Sequence, residues 1–291
     1  MSRIHPGAYV DPKAELGRDT EVGPNCCIGP DVTLGEGCRL HNNVTLTGRT
    51  TIGRGNVFFP TAVIGAEPQD LKFEGEPTEL IIGDDNVFRE QVTVHAGTGA
   101  GGGLTRVGSH NQFLVAVHVP HDAVIEDHCI FANAVQLGGH VHIHSYATFG
   151  GMVGVHHFVT VGRYAFVAGL TRTSVDVPPF MITHGYEARV RGVNVRGMAR
   201  WGFSQERIQP IRQAFKDLYT DRSRFGGSLL HRLECLESDG ELTDDVRHLI
   251  DFVRRAVSEG HSGRYLESVR AQATRQKAGF YDEKPSEGSD S

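Results

Sequence analysis

Apolar side chains recur at every sixth position through the first part of the chain: Ile4, Val10, Leu16, Val22, Ile28, Leu34, Leu40, Leu46, Ile52, Phe58 and Ile64. The series resumes at Ile82, Phe88 and Val94. It runs again from Val107 through Phe113, Val119, Ile125, Phe131, Leu137, Ile143, Phe149, Val155 and Val161, and stops after Val167. A helix repeats about every 3.6 residues and a half-buried strand alternates, so neither explains a strict six. Short strands joined by turns do, and a fixed internal period is the signature of stacked repeats. In IGPDVT, LGEGCR and IGRGNV the apolar residue opens the unit, glycine follows it, and a small or β-branched residue comes fifth.

Two interruptions carry as much information as the repeat. Between Ile64 and Ile82 the leading position is lost at Asp70 and Glu76, which predicts an excursion near 65–81. Between Val94 and Val107 the spacing is thirteen, the extra length being HAGTGAGGGLTR, which predicts a second loop near 95–106. Loops that interrupt a rigid scaffold commonly display binding groups. After Pro179 the period changes. Ser204 is placed to cap a helix with Ile208, Ile211, Phe215, Leu218 and Tyr219 on one face. Further helices are predicted around Leu229 to Leu236 and Asp245 to Val257. The chain is therefore divided into a coil over 1–185, a C-terminal helical domain over 186–271 and a polar tail over 272–291, expected to be disordered.

Composition narrows the function classes. With 291 residues and 39% hydrophobic content a sizeable core is expected. A net charge of −6 without basic runs argues against a nucleic-acid partner or a membrane-surface binder. No stretch approaches the roughly eighteen apolar residues of a transmembrane segment, and MSRIHPGAYV lacks the apolar core of a signal peptide. Five cysteines without CxxC spacing suggest neither a disulfide framework nor a zinc ribbon, and a cytoplasmic location is expected. Of the 16 histidines, many concentrate on the later coils, among them His118, His121, His140, His142, His144, His156 and His157.

The hexads resemble those of the hexapeptide-repeat acyltransferases. That resemblance implies an all-β left-handed parallel β-helix of eighteen-residue coils, here followed by a small C-terminal α-helical domain. Its hand runs against the usual right-handed crossover and comes from the resemblance, not from the period. With eighteen residues per coil, residue i lies against i+18 at roughly the 4.8 Å strand spacing. His121, Gly139 and His157 then form one column, and Asp122, His140 and Phe158 the next. A histidine beside a glycine N–H offers a base and an oxyanion donor, the two parts acyl transfer needs.

The strings VHVPHDAVIEDHCI and FANAVQLGGHV closely resemble the UDP-N-acetylglucosamine 3-O-acyltransferases that begin lipid A synthesis. IGAEPQDLKFEGEPT, VTVHAGTGAGGGLTRVGSHN, FGGMVGVHHF, DVPPF and GVNVRGMARWGFS match segments of that family in order, over about residues 4 to 215. The resemblance implies that His121 takes the proton from the sugar 3-hydroxyl as it attacks the thioester of a 3-hydroxyacyl acyl carrier protein. Asp122 would orient His121, and the N–H of Gly139 would bind the oxyanion. Asp70 and Lys72 match contacts to sugar and acyl chain, and His118, His140 and His156 match residues lining the cleft. Asn194 and Arg200 match contacts to the nucleotide. Gly169 falls at the acyl-length ruler, where glycine favours a longer chain. No cofactor and no metal are implied, and the family points to a homotrimer with sites between subunits.

This sequence departs from the family pattern around the substrate ends. His157 stands where glutamine is usual, Arg196 where an acidic residue is usual, Trp201 where a second basic residue often follows Arg200, and Arg172 where the residue is small. These changes leave a 3-amino UDP-sugar open as the acceptor. A γ-class carbonic anhydrase-like zinc enzyme, recruiting His118, His121 and His140, and a β-helical scaffold without activity are the readings of other classes. The start of the hexads at Ile4 argues against the later N-acyltransferase with its extra N-terminal domain. His142 and His144 match no family role and read as exposed coil residues. GTGAGGG lacks the GK[ST] ending of a phosphate loop. Arg207, Arg212, Lys216, Arg222 and Arg224 are candidates for meeting an acidic carrier protein, or are simply solvated helix residues.

Overall fold

A computed structural model describes residues 2–221, 223–260 and 262–269; the proposed tail, 272–291, and Arg222 lie outside them. The hexads form short strands, usually two residues long, which stack in parallel into sheets of eleven, nine and eight strands. The architecture is a left-handed parallel β-helix followed by C-terminal helices. The eighteen-residue register holds where the repeat is regular: Gln112 pairs with Ile130, Ile130 with Thr148, and Thr148 with Phe166. Where a loop intervenes, the register lengthens but the stack continues. Val57 pairs with Val87 across the first excursion, and Val87 with Gln112 across the second.

The leading residues fill the interior. Phe58, Phe88, Phe113, Phe131 and Phe149 are buried and stack in one column with ring centroids 4.8–5.0 Å apart. That spacing is the strand separation itself, so the backbone pitch and the aromatic contacts reinforce one another. A polar column runs beside it: the backbone N–H groups of Asn86, Asn111 and Cys129 donate to the side-chain oxygens of Asn56, Asn86 and Asn111 in turn. It satisfies these buried backbone N–H groups and side-chain oxygens, which would otherwise cost stability.

Along the later coils the corners are turned by residues in the left-handed conformation, each six positions from the last: Ala116, Asp122, His128, Ala134, His140, Tyr146, Met152 and Phe158. Outside glycine this conformation is uncommon, and Asn, Asp and His are enriched in it. Asp122 and His140 thus occupy corners, and the corner sets the direction of each side chain.

The coil ends in a hairpin. Met181–His184 pairs in parallel with the preceding strand and antiparallel with Arg189–Val193, so residue 185 lies in the turn and the eleven-stranded sheet continues to Val193. Among the described residues five α-helices follow: α1 (Val195–Arg200), α2 (Gln205–Tyr219), α3 (Leu229–Ser238), α4 (Asp244–Arg254) and α5 (Tyr265–Ser268). The Ser204 side chain caps α2 by accepting from Arg207 N–H. Ile208, Ile211 and Leu218 of α2 pack with Leu233, Leu249, Ile250 and Val253 in a second core beside Phe180 and Met181. The last segment straps back onto the coil: both Asp176 carboxylate oxygens accept backbone N–H groups, from Thr160 and from Tyr265.

Candidate active site

His121 and Asp122 occupy the corner after the strand His118–Val119, which belongs to the nine-stranded sheet. The His121 Nδ1 lies 2.7 Å from Asp122 Oδ2. Asp122 is buried and holds more than this one contact. Its Oδ1 accepts from the Thr98 N–H at 2.8 Å, its Oδ2 from the Thr98 hydroxyl at 2.6 Å, and its own N–H donates to Thr105 Oγ1 at 2.8 Å. Burial alone would push this carboxyl up, but the hydrogen bonds from His121 and Thr98 outweigh it and hold the group below the usual carboxylate range. An ionised Asp122 accepts from Nδ1–H, which leaves the Nε2 lone pair of His121 available. A fixed tautomer of this kind is what a general base requires.

The second excursion therefore closes onto the corner. It runs as a single turn at Gly99–Gly101, capped by the Thr98 side chain. A Cβ on Gly101 would overlap the Asp122 carboxyl, so the glycine run allows the loop to approach that group. Glu76 of the first excursion accepts from the Gly99 N–H at 2.7 Å, joining the two loops.

One coil further on, Gly139 faces the imidazole. A Cβ built there would lie 2.5 Å from His121 Cε1 and 2.7 Å from Nε2, so a larger residue would displace the ring. The neighbouring column is also formed: His140 stacks on Phe158 at 4.4 Å and meets His121 edge-on at 5.2 Å. The His140 Nε2 lies 3.6 Å from Asp122 Oδ2. His118 donates to or accepts from Thr93 Oγ1 at 2.8 Å and meets the buried His95 edge-on at 5.0 Å. Burial, then the nearby His95 and His121, hold His118 down at about 4. His118 and His95 thus form a neutral wall beside His121.

The other residues singled out in the sequence divide between this corner and more distant places. His156 and His157 pack ring to ring on the adjacent coil, with the His157 backbone against Gly138. Asp70 closes a local turn by accepting from Lys72 N–H, and neither side chain hydrogen-bonds a site histidine. Asn194 caps α1 by accepting from Gly197 N–H and donates to the Tyr164 carbonyl. With Arg196 and Arg200 it lines a cleft of about 490 Å³ that also includes Thr148, Phe166 and Ile182. Gly169 lies over Gly151, whose carbonyl would be 3.3 Å from an added Cβ. Trp201 packs edge-on against Tyr146 and His128, and Arg172 lies over the Tyr186 ring. Among the helix cations, Arg207 is paired with Asp245 and Arg224 with Asp217 and Asp239, which accounts for both structurally. Arg212 and Lys216 line a separate cleft with Val193 and Phe215.

Donor atoms of His121, Asp122 and His140 lie within 4.8 Å of one another, as do those of Glu126, His142 and His144. The first group excludes His118, which the sequence had suggested as a companion ligand. Both oxygens of Asp122 are also engaged by Thr98. Thr98, Thr105 and Gly101 escaped the sequence reading. The thirteen-residue spacing signals their loop but carries no trace of the corner it reaches. No helix among the described residues is long and apolar enough to cross a membrane.

Residues 176–262 match the family model described as UDP N-acetylglucosamine O-acyltransferase, domain 2. The chain is 45% identical over 251 residues to an acyl-(acyl-carrier-protein)–UDP-N-acetylglucosamine O-acyltransferase of an Anaeromyxobacter species, spanning 86% of this chain and 96% of the relative. A Stenotrophomonas maltophilia protein of the same name is 43% identical over 255 residues, with 87% and 95% covered. Among solved structures, the UDP-N-acetylglucosamine acyltransferase of Bacteroides fragilis superposes with a TM-score of 0.81 at 37% identity, covering 86% and 96%. The UDP-N-acetylglucosamine O-acyltransferase of Moraxella catarrhalis gives 0.80 at 35%, covering 85% and 95%.

Proposed function

The chain belongs to the UDP-N-acetylglucosamine O-acyltransferase family. From that premise we propose that it moves a 3-hydroxyacyl chain from acyl carrier protein to the 3-hydroxyl of UDP-N-acetylglucosamine, the transfer that begins lipid A synthesis. The observation that carries the mechanism is the 2.7 Å contact between His121 Nδ1 and a carboxylate held in place by Thr98. His121 Nε2 takes the proton from the sugar hydroxyl as its oxygen bonds to the thioester carbonyl carbon. The carbonyl oxygen becomes an oxyanion and accepts from the Gly139 N–H, an interaction whose loss typically costs about 10²–10³ in rate. Collapse breaks the carbon–sulfur bond, and the imidazolium returns its proton to the departing thiolate. Asp122 remains ionised throughout and stabilises the imidazolium.

The remaining assignments follow the family positions. His118, His140, His156 and His157 line the acyl and sugar cleft. Asn194 and Arg200, at the mouth of their own cleft, meet the nucleotide, and Gly169 sets the acyl length. Asp70 and Lys72 act on substrate in a homotrimer, from a loop in which Asp70 accepts from the Lys72 N–H. Exposed Leu71, Met152 and Leu170 supply apolar surface for subunit contacts. All five cysteines are free thiols, which supports a cytoplasmic location.

The test is to incubate the protein with UDP-N-acetylglucosamine, its 3-amino analogue and a series of 3-hydroxyacyl carrier proteins, and to identify the products by mass. The expected product is the 3-O-acyl sugar; acylation of the amino analogue alone would overturn the acceptor assignment. His121→Ala should lose about 10³–10⁴ of the rate, the range of general-base contributions at its upper end. Wild-type turnover in that variant would refute its role.

A further inference from the structure

A second group of titratable side chains lies on the eight-stranded sheet, away from the corner that holds His121. His142 and His144 stand two positions apart at the strand His142–Ile143, so their side chains leave the same face of the chain. Glu126 lies one coil earlier, eighteen positions before His144, so the pitch of the coil brings it alongside. The Glu126 Oε1 is 3.0 Å from His142 Nε2 and 3.9 Å from His144 Nδ1. Its other oxygen, Oε2, accepts from both the N–H and the hydroxyl of Ser145 at 2.9 Å. Ser145 thus orients the carboxylate and leaves Oε1 directed at two imidazoles. Hydrogen bonds to a ligating carboxylate play this part at metal centres.

We propose that Glu126, His142 and His144 form a binding site for a borderline divalent metal ion, zinc foremost, that clamps successive coils beneath α4. Two imidazoles and one carboxylate are donors that suit zinc, nickel or copper better than calcium or magnesium, which prefer all-oxygen sites. The three donor atoms lie within 4.8 Å of one another. A tetrahedral ion with bonds of about 2.0–2.1 Å needs them about 3.3 Å apart. Side chains that are 21–36% exposed have the torsional freedom to close that difference. Binding replaces the hydrogen bond between His142 and Glu126 with two metal bonds, and the His142 proton moves to Nδ1. Phe252 of α4 meets His144 edge-on at 6.3 Å and limits its ring. Arg255 is within electrostatic reach, and its charge opposes the cation and should tune affinity downward; burial lowers the pKa of the neighbouring His248 and keeps it neutral.

The experiment uses the full chain, stripped with a chelator and titrated with zinc by calorimetry and with cobalt by visible absorption. One ion per chain is expected, with a raised unfolding temperature and a cobalt spectrum carrying imidazole ligands. His144→Gln and His142→Gln, the latter keeping a donor for Glu126, should each weaken zinc at least tenfold. His121→Ala should bind like the parent. If either glutamine variant fails to fold, Ser145→Ala reads the same site with a smaller loss. Absence of binding, or binding that survives His144→Gln and disappears in His121→Ala, would overturn the proposal. The latter result would move the ion to the His121, Asp122 and His140 group.

Discussion

The corner at Asp122 and the strand face at Glu126 both pair a carboxylate with histidines, and both use the eighteen-residue pitch to do so. They differ in how the carboxylate is spent. Asp122 is buried, and both its oxygens are engaged by Thr98, with His121 at 2.7 Å and His140 further off at 3.6 Å on the same oxygen. That arrangement leaves one nitrogen of His121 free, against a glycine. Glu126 is about one-third exposed, is oriented by Ser145 through one oxygen, and presents the other to two imidazoles. Hydrogen bonds from His142 and Ser145 overcome the effect of burial and hold Glu126 at about 2, while burial and then His142 hold His144 at about 4. The same residue types therefore differ in setting: at Asp122 both carboxylate oxygens are tied to Thr98 in a buried corner, and at Glu126 one oxygen is left to the imidazoles at a partly exposed strand face.

Asp122→Asn is the strongest way to break this contrast. The amide can no longer favour Nδ1–H by charge, and a loss of about 10²–10⁴ in kcat is expected, with KM changed little. Steady-state kinetics on both substrates would measure it, and activity within tenfold of the parent would show that the carboxylate does not set the tautomer. A smaller effect is expected from Thr98→Val, which removes one donor to a buried carboxylate. The cost should be about 1–3 kcal/mol of stability and roughly tenfold in kcat, read by denaturant unfolding and turnover. Ser145→Ala removes the corresponding support from Glu126 and should leave acyl transfer within about twofold. Equal losses in the two variants would erase the distinction between the regions.

The least effect concerns acid stability. His118 is depressed from 6.5 to about 4 in the folded protein, so on acidification the unfolded chain takes up its proton first. Its contribution is complete above about pH 6.5 and is lost as the pH falls toward 4. His118→Asn, which keeps a partner for Thr93, should flatten the decline in unfolding temperature between pH 6.5 and 4. An unchanged slope would assign that decline to other groups, His95 and His144 among them.

The coil was legible because its information is local and periodic. Each leading residue from Val22 to Val167 is buried where the hexad requires, and the rule that i meets i+18 sets Gly139 against His121 and Phe158 against His140, as the structure does. The hairpin that ends the coil was not legible, because Met181–His184 and Arg189–Val193 abandon the six-residue period. Helix α1 is too short to show a face of its own.

The order of residues along the chain determined the period, the corners and the pairing of His121 with Gly139, since the pitch of a coil follows from residue count and strand spacing alone. Only the tertiary structure decided what the two excursions reach. Thr98 meets Asp122 across 24 positions, and Glu76 meets Gly99 across 23. A loop of irregular backbone has no period to project its end point, and its destination is set by which buried acceptor its N–H groups can satisfy. The same holds for Glu126. Its separation from His144 is written in the repeat, but the turning of one oxygen toward Ser145 and the other toward two imidazoles arises from side-chain geometry that no spacing encodes.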